Sequence, residues 1–199
     1  MKRMFLALLA VAAMVGCENT DLNDDNITFK FEDGIYVSDA FTPISYELYC
    51  EKVVGSAWKI DFNSGRRIWQ DGTLAEENYF YLLNGWRATH YSFDKDSLTE
   101  YLWYGTGCKY HTYATHYDNG VVMNDDLETP LFTADGGTWN HENPVPHFVI
   151  LEVKGDRMTC VQFIGWTPKS EASYILCKYD RLSKSEYEQL KKEYSEEIK

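Results

Sequence analysis

Positive charge is what this chain has least of. Its 199 residues carry 19 Lys and Arg against 31 Asp and Glu, a formal charge of −12, with a pI near 4.8. A nucleic-acid binder neutralises phosphates with basic side chains, so nucleic acid is not an expected partner. Long apolar runs are missing too. The run Met4 to Val15 holds twelve apolar residues, whereas a membrane-spanning helix needs about 20. Motifs for chemistry are equally scarce. There is no Cys-x-x-Cys and no Gly-x-Ser-x-Gly elbow, and His141-Glu142 lacks the second histidine of a zincin. Gly105-Thr106-Gly107 has no third glycine and falls between strand patterns, as a hairpin loop would. His111 and His116 are five apart and point to opposite faces of one strand. His90 and His111 could approach across strands, but no carboxylate is placed to complete a site. Glu76-Glu77 and Asp125-Asp126 read as solvated loop charges. The expectation is no enzyme, no metal and no cofactor.

What is present is apolar and aromatic. Hydrophobic residues make up 44% of the chain, with 6 Trp, 15 Tyr and 10 Phe, which excludes a mainly disordered protein and suits one domain with a tail. Lys2 and Arg3 before the apolar run form the pattern of an export signal. The run ends Met14-Val15-Gly16-Cys17, which resembles the bacterial lipobox. That resemblance implies lipidation of Cys17 and cleavage before it, and several acyl chains make a stable anchor where one does not. Residues 18–26 hold four acids and one large apolar side chain, and read as a solvated tether. An acidic run at this place resembles the surface-export signal of Bacteroides-type lipoproteins. The expected division is a signal peptide over 1–16, a lipidated acidic tether over 17–41, and a folded domain over 42–199. The expected location is the outer membrane, on its cell-surface or periplasmic face.

Within the domain, Thr42-Pro43 reads as a helix start and Gly55 as its stop, predicting a helix over 43–54. Turn residues then parcel the chain into about nine short strands: 58–63, 67–70, 88–93, 98–104, 109–117, 121–123, 147–154, 157–164 and 173–179. Consecutive hairpins leave no room for crossover helices, so the sheet is antiparallel. A meander of eight or nine strands closes into a barrel more readily than it splits into a sandwich, which needs long sheet-switching connections. Ser183 and Glu186 form a capping box, and Tyr187, Leu190, Tyr194 and Ile198 make one stripe of a C-terminal helix that docks on the barrel wall or across a mouth. A turn centred between Pro168 and Lys169 sets Cys160 opposite Cys177, as a disulfide or as two buried thiols. The stretch 124–146 is long enough to be a lid, with Trp139 its candidate ligand contact; alternatively 131–133 or 138–139 adds a short strand. Tyr101, Trp103, Tyr113 and Tyr117 share one parity within their strands and could line a cavity or fill it.

Val54-Gly55-Ser56-Ala57-Trp58-Lys59, Arg157-Met158-Thr159-Cys160-Val161-Gln162-Phe163 and Tyr179-Asp180-Arg181-Leu182 resemble the lipocalin-like domains of Bacteroides-type lipoproteins over about 55–182. The resemblance implies a lipocalin-like barrel with Trp58 plugging its closed end, and a binding or interaction scaffold. Two functions compete. The barrel of a membrane-anchored lipoprotein binds a small apolar or glycan-like ligand, or the domain is an accessory that contacts a protein partner in a surface complex.

Overall fold

The computed structural model describes residues 27–32, 35–82, 87–104, 107–126, 131–132, 138–139, 145–166 and 172–197. Cys17, the signal peptide and the first part of the tether lie outside them. In chain order the elements are β1 (Lys30–Glu32), β2 (Ile35–Val37), α1 (Tyr46–Lys52), β3 (Ser56–Ile60), β4 (Arg66–Ile68), β5 (Leu74–Asn78) and a 3₁₀ turn (Tyr79–Leu82). Then come β6 (Arg87–Phe93), β7 (Ser97–Tyr104), β8 (Gly107–Asp118), β9 (Val121–Asn124), β10 (Leu131–Phe132) and β11 (Thr138–Trp139). The last are β12 (Val145–Lys154), β13 (Arg157–Trp166), β14 (Ala172–Arg181), α2 (Lys184–Glu193) and β15 (Glu196–Glu197).

Eight strands close a ring in the order β3, β6, β7, β8, β9, β12, β13 and β14, and β14 pairs back onto β3. Every pair in the ring is antiparallel. The barrel expected from consecutive hairpins is therefore present. The turns explain why the hairpins form. Asn119 and Gly120 both take positive φ, 46° and 92°, as a two-residue primed turn requires. Cys160 faces Cys177 in the β13–β14 register, as the turn chemistry predicts.

Two strands stand beside the ring. β4 follows β3 along β14, taking its N-terminal half while β3 takes the C-terminal half, and β5 folds back on β4. β10 and β11 pair with each other as a separate two-stranded sheet, so short strands form at both 131–132 and 138–139, where the sequence suggested one or the other. β15 adds a parallel rung to β8, supported by an ion pair of 2.9 Å between Lys109 and Glu196.

α1 plugs one end. It starts later than the Thr42-Pro43 signal suggests: Ser45 is the N-cap, its Oγ accepting from the Leu48 amide. The preceding residues cannot turn into the helix because they are held against the barrel. The Ile44 amide donates to Ile150 O, and Pro43 sits against Gly120, where a Cβ would come within 2.2 Å of the proline ring. Tyr49 of α1 and its C-cap Val53 join Trp58, Phe93, Leu98, Ile150 and Met158 in one buried cluster. Trp58 is fully buried; its Nε1 donates to Ser56 Oγ, and the Arg181 guanidinium lies 4.5 Å from its ring centroid. Arg181 also donates to Lys52 O, tying helix, first strand and last strand together.

The tether boundary moves. Residues 27–32 and 35–41 belong to the fold, with Ile27, Phe29 and Tyr36 buried. The reason lies in β12–β14. Their inward residues alternate with outward Val149, Leu151, Val161, Phe163, Tyr174 and Leu176, which are also buried and apolar, and an outward apolar face needs a second layer. The 27–37 segment supplies it. α2 covers the wall on another side: its capping box forms as expected, and Leu190 and Tyr194 pack with Tyr101 of β7.

Candidate functional site: a polar tier inside the barrel

Away from α1 the barrel interior changes character. On β7, Leu98 and Glu100 share the inward face, and Glu100 pairs with Tyr91 on one side and His111 on the other. Its carboxylate is buried and accepts from two phenols, Tyr91 Oη at 2.8 Å and Tyr113 Oη at 3.0 Å. The chain of bonds continues across the lumen. Gln162 Nε2 donates to Tyr91 Oη at 2.6 Å, and Gln162 Oε1 accepts from Tyr179 Oη at 2.5 Å. The Cys177 thiol stands 3.2 Å from Tyr179 Oη.

Two imidazoles border this network. His111 is buried against the Tyr113 ring, centroids 4.3 Å apart, with its Nε2 3.7 Å from Asp126 Oδ2. His147 reaches the lumen through a register shift between Pro146 and Phe148 on β12. Such a bulge turns two consecutive side chains to one face, and the His147 and Phe148 rings stack in parallel at 4.8 Å. His147 thereby lies edge-on to Tyr113 at 5.5 Å. Asn124, fully buried, closes the tier. Its Oδ1 accepts from the Asp126 amide, while its Nδ2 has no hydrogen-bond partner among the described residues.

Burial sets the protonation states. It pushes the Glu100 carboxyl above the ordinary carboxylate range, against the opposing pull of the two phenol bonds. Burial likewise lifts Tyr91, Tyr113 and Tyr179 well above the usual phenol value, so all three remain donors. Burial pushes the Cys177 thiol to about 12 and raises Cys160 well above the ordinary thiol range; both are free, buried thiols in this structure. Among the described residues, no three His, Cys, Asp or Glu side chains group so as to hold a metal ion.

The residues singled out from the sequence are divided by this geometry. Tyr113 and Tyr117 face inward, but Tyr117 sits at the α1 end, stacked on Tyr49 at 4.2 Å with its hydroxyl on Ile44 O. Tyr101 faces outward onto Tyr194, the C-cap of α2, and Trp103 is 43% exposed. The cause is register. Tyr104 pairs with Gly107, so odd-numbered residues of β7 share a face with even-numbered residues of β8, and common parity in sequence becomes opposite faces in space. The close spacing of the two strand patterns around Gly105-Thr106-Gly107 in the sequence is the signal that could reveal it. Trp139 lies in β11 and its side chain is outside the described residues, as is most of the 124–146 stretch. His90 points outward toward Tyr194, away from His111. No motif in the sequence marks Glu100, Tyr91, Gln162 or His147 as members of one site, and nothing in the local pattern marks the bulge that places His147.

The fold and the tier define a class: a closed eight-stranded antiparallel barrel with an apolar, helix-plugged end and a polar tier in its interior. Comparison with protein-family models, with curated proteins and with solved structures finds no match to this chain.

Proposed function

We propose that this protein is an exported, lipid-anchored barrel without catalytic activity that holds a small ligand, apolar or glycan-like, over its polar tier. The observation that carries the reading is the buried donor Asn124 Nδ2, without a partner among the described residues, at the end of β9 just before Asp126, which reaches His111, in a barrel plugged by α1. A buried amide without a partner costs about 1–3 kcal/mol, and a ligand acceptor in the lumen offsets that cost. Polar groups fixed on barrel strands and walled by aromatic rings are the make-up of a ligand site. Their hydrogen-bonding character favours the hydroxyl-rich end of the ligand range over the purely apolar end.

The anchor rests on Lys2, Arg3, the apolar run and Cys17. It places the barrel on the outer membrane, at the cell surface or the periplasmic face. Cys17→Ala is expected to abolish fatty-acid incorporation and to release the protein from the membrane fraction; a labelled, membrane-bound variant refutes the anchor.

Ligand-observed NMR of the purified chain against fatty acids and neutral oligosaccharides tests the lumen. Saturable binding that Asn124→Leu weakens at least tenfold supports it. A chain that binds none of these, and is recovered from cells with a stoichiometric protein partner, replaces it by the accessory reading.

A further inference from the structure

The hairpin β4–β5 carries a second feature, separate from the lumen. Arg67 pairs with Ile175 of β14, whose side chain is in the interior cluster, so Arg67 and Trp69 lie on the face that continues the barrel's inner surface past its rim. Beside them is a recess of about 190 Å³ lined by Arg67, Trp69, Ala75, Glu76, Glu77 and Tyr79. Trp69 is 46% exposed. Lone exposed aromatics need no explanation, but this one is held in place from several sides. The Arg67 guanidinium lies 4.9 Å from its ring centroid, and Arg67 Nη2 donates to Ser173 Oγ at 3.0 Å. The turn that bears it is closed at both ends, with Trp69 N donating to Thr73 O and Gly72 N to Trp69 O, each at 2.8 Å. The N-terminal segment clamps the same turn: Phe29 N donates to Gly72 O, and a Cβ on Gly72 would lie 1.7 Å from that Phe29 carbonyl oxygen. A half-exposed indole fixed this firmly loses little freedom when something stacks on it.

We propose that this recess is a subsite for one pyranose ring of a neutral glycan. The C–H face of a sugar packs on an aromatic platform, which Trp69 and Tyr79 supply. Its hydroxyls need both acceptors and donors, which the Glu76 and Glu77 carboxylates and the Arg67 guanidinium supply together. The volume is below the roughly 300–1,000 Å³ of a drug-sized site and suits a single ring. Two carboxylates against one guanidinium, on a chain of charge −12, disfavour uronic or sialic acids. An amine is disfavoured by the arginine already stacked on the indole. The subsite stands whether or not the lumen takes a ligand.

Saturation-transfer NMR and tryptophan-fluorescence titration of the purified full chain test it, with methyl glucoside, mannoside and galactoside, cello- and xylo-oligosaccharides, and galacturonate as the acidic control. The expected result is saturable binding of at least one neutral sugar, lost tenfold or more in Trp69→Ala, partly kept in Trp69→Phe, and weakened by Arg67→Ala. Galacturonate binds more weakly than its neutral counterpart. Because Trp69 is half exposed, Trp69→Ala is expected to keep the wild-type circular dichroism spectrum, and Asn124→Leu serves as the variant of the lumen. Sugar binding abolished by Asn124→Leu but untouched by Trp69→Ala overturns the rim subsite and leaves the lumen reading standing. Binding lost in Trp69→Ala alone establishes the rim and counts nothing for the lumen. No binding of any neutral sugar at millimolar concentration overturns the proposal.

Discussion

Glu100→Gln isolates the energetics of the polar tier. In the folded protein the Glu100 carboxyl is held above the ordinary range by burial, while Tyr91 and Tyr113 each donate to it. In the unfolded chain it titrates near the usual glutamate value of about 4.3. Between those two values the folded state binds the proton and the unfolded state does not, so stability rises as pH falls through the window and is lost as pH rises out of it. Each unit of difference corresponds to about 1.4 kcal/mol. Gln has the same shape and no charge. It keeps one acceptor oxygen for a phenol, and the other phenol can rotate to accept its N–H. The expected change at neutral pH is within about 1.5 kcal/mol, in the stabilising direction if desolvation dominates the bonds lost. Leu at the same place strands two buried phenols, at about 1–3 kcal/mol each. Urea unfolding of wild type, Glu100→Gln and Glu100→Leu, measured from neutral pH down to the ordinary carboxylate range, separates these effects. Wild type should gain on Glu100→Gln as pH falls, because exposed carboxylates with lowered values, such as Glu186 and Asp71, respond alike in both. A difference that stays flat with pH, or that widens in favour of the glutamine variant on acidification, refutes the argument.

Other parts of the fold make independent predictions. Gly120→Ala and Gly155→Ala both force alanine to positive φ, 92° and 56°, but only at position 120 does the new Cβ meet another group, the Pro43 ring at 2.2 Å. Thermal unfolding is therefore expected to show a clearly larger loss for Gly120→Ala, beyond the roughly 1–2 kcal/mol of left-handed strain; equal losses would contradict the Pro43 contact. Trp58→Phe removes the Nε1 bond to Ser56 Oγ and part of the Arg181 stack, together worth about 1–3 kcal/mol, read as a lowered urea midpoint with an unchanged m-value. Thiol labelling of the native protein is expected to reach exposed Cys50 and to spare buried Cys160 and Cys177 until denaturant is added. Native labelling of either buried thiol would contradict their place in the core.

The parts of the fold that were legible share a cause: they are decided by neighbours in sequence. The Asn119-Gly120 turn, the Ser183 capping box, and the β13–β14 register that sets Cys160 against Cys177 are all settled within one hairpin or one helical turn. The parts that were not legible are decided at a distance. β5, Leu-Ala-Glu-Glu-Asn, has no strand-like alternation and is a strand because β4 is beside it. β1 and β2 are held by the outward face of β12–β14. A trace of that was visible in Phe148-Val149-Ile150-Leu151, a run apolar on both faces that calls for two layers. The polar tier needed two facts that parity within one strand does not contain: the odd sum of partners across β7 and β8, and the bulge at His147.

The tier also bears on why this barrel is built as it is. A lumen that only had to be filled is filled adequately by aliphatic side chains, as the α1 end is by Leu98, Ile150 and Met158 around Trp58. Replacing buried ionisable networks by well-packed apolar groups is often neutral or stabilising. Here a carboxylate, three phenols, an amide pair and two imidazoles occupy the interior beyond it, and one amide donor, Asn124 Nδ2, has no partner among the described residues. Both bulges next to the tier, at His147 and at Thr89 between Ala88 and His90, break a ladder that would otherwise be regular, and the first of them brings an imidazole inward. Apolar packing is thus concentrated at the helix-plugged end, where Arg181 ties three elements together, while the tier beyond it holds polar groups in fixed positions at some cost to the fold. That division of one interior into an apolar part and a polar tier supports recognition of a ligand at the tier more than it supports a purely structural core.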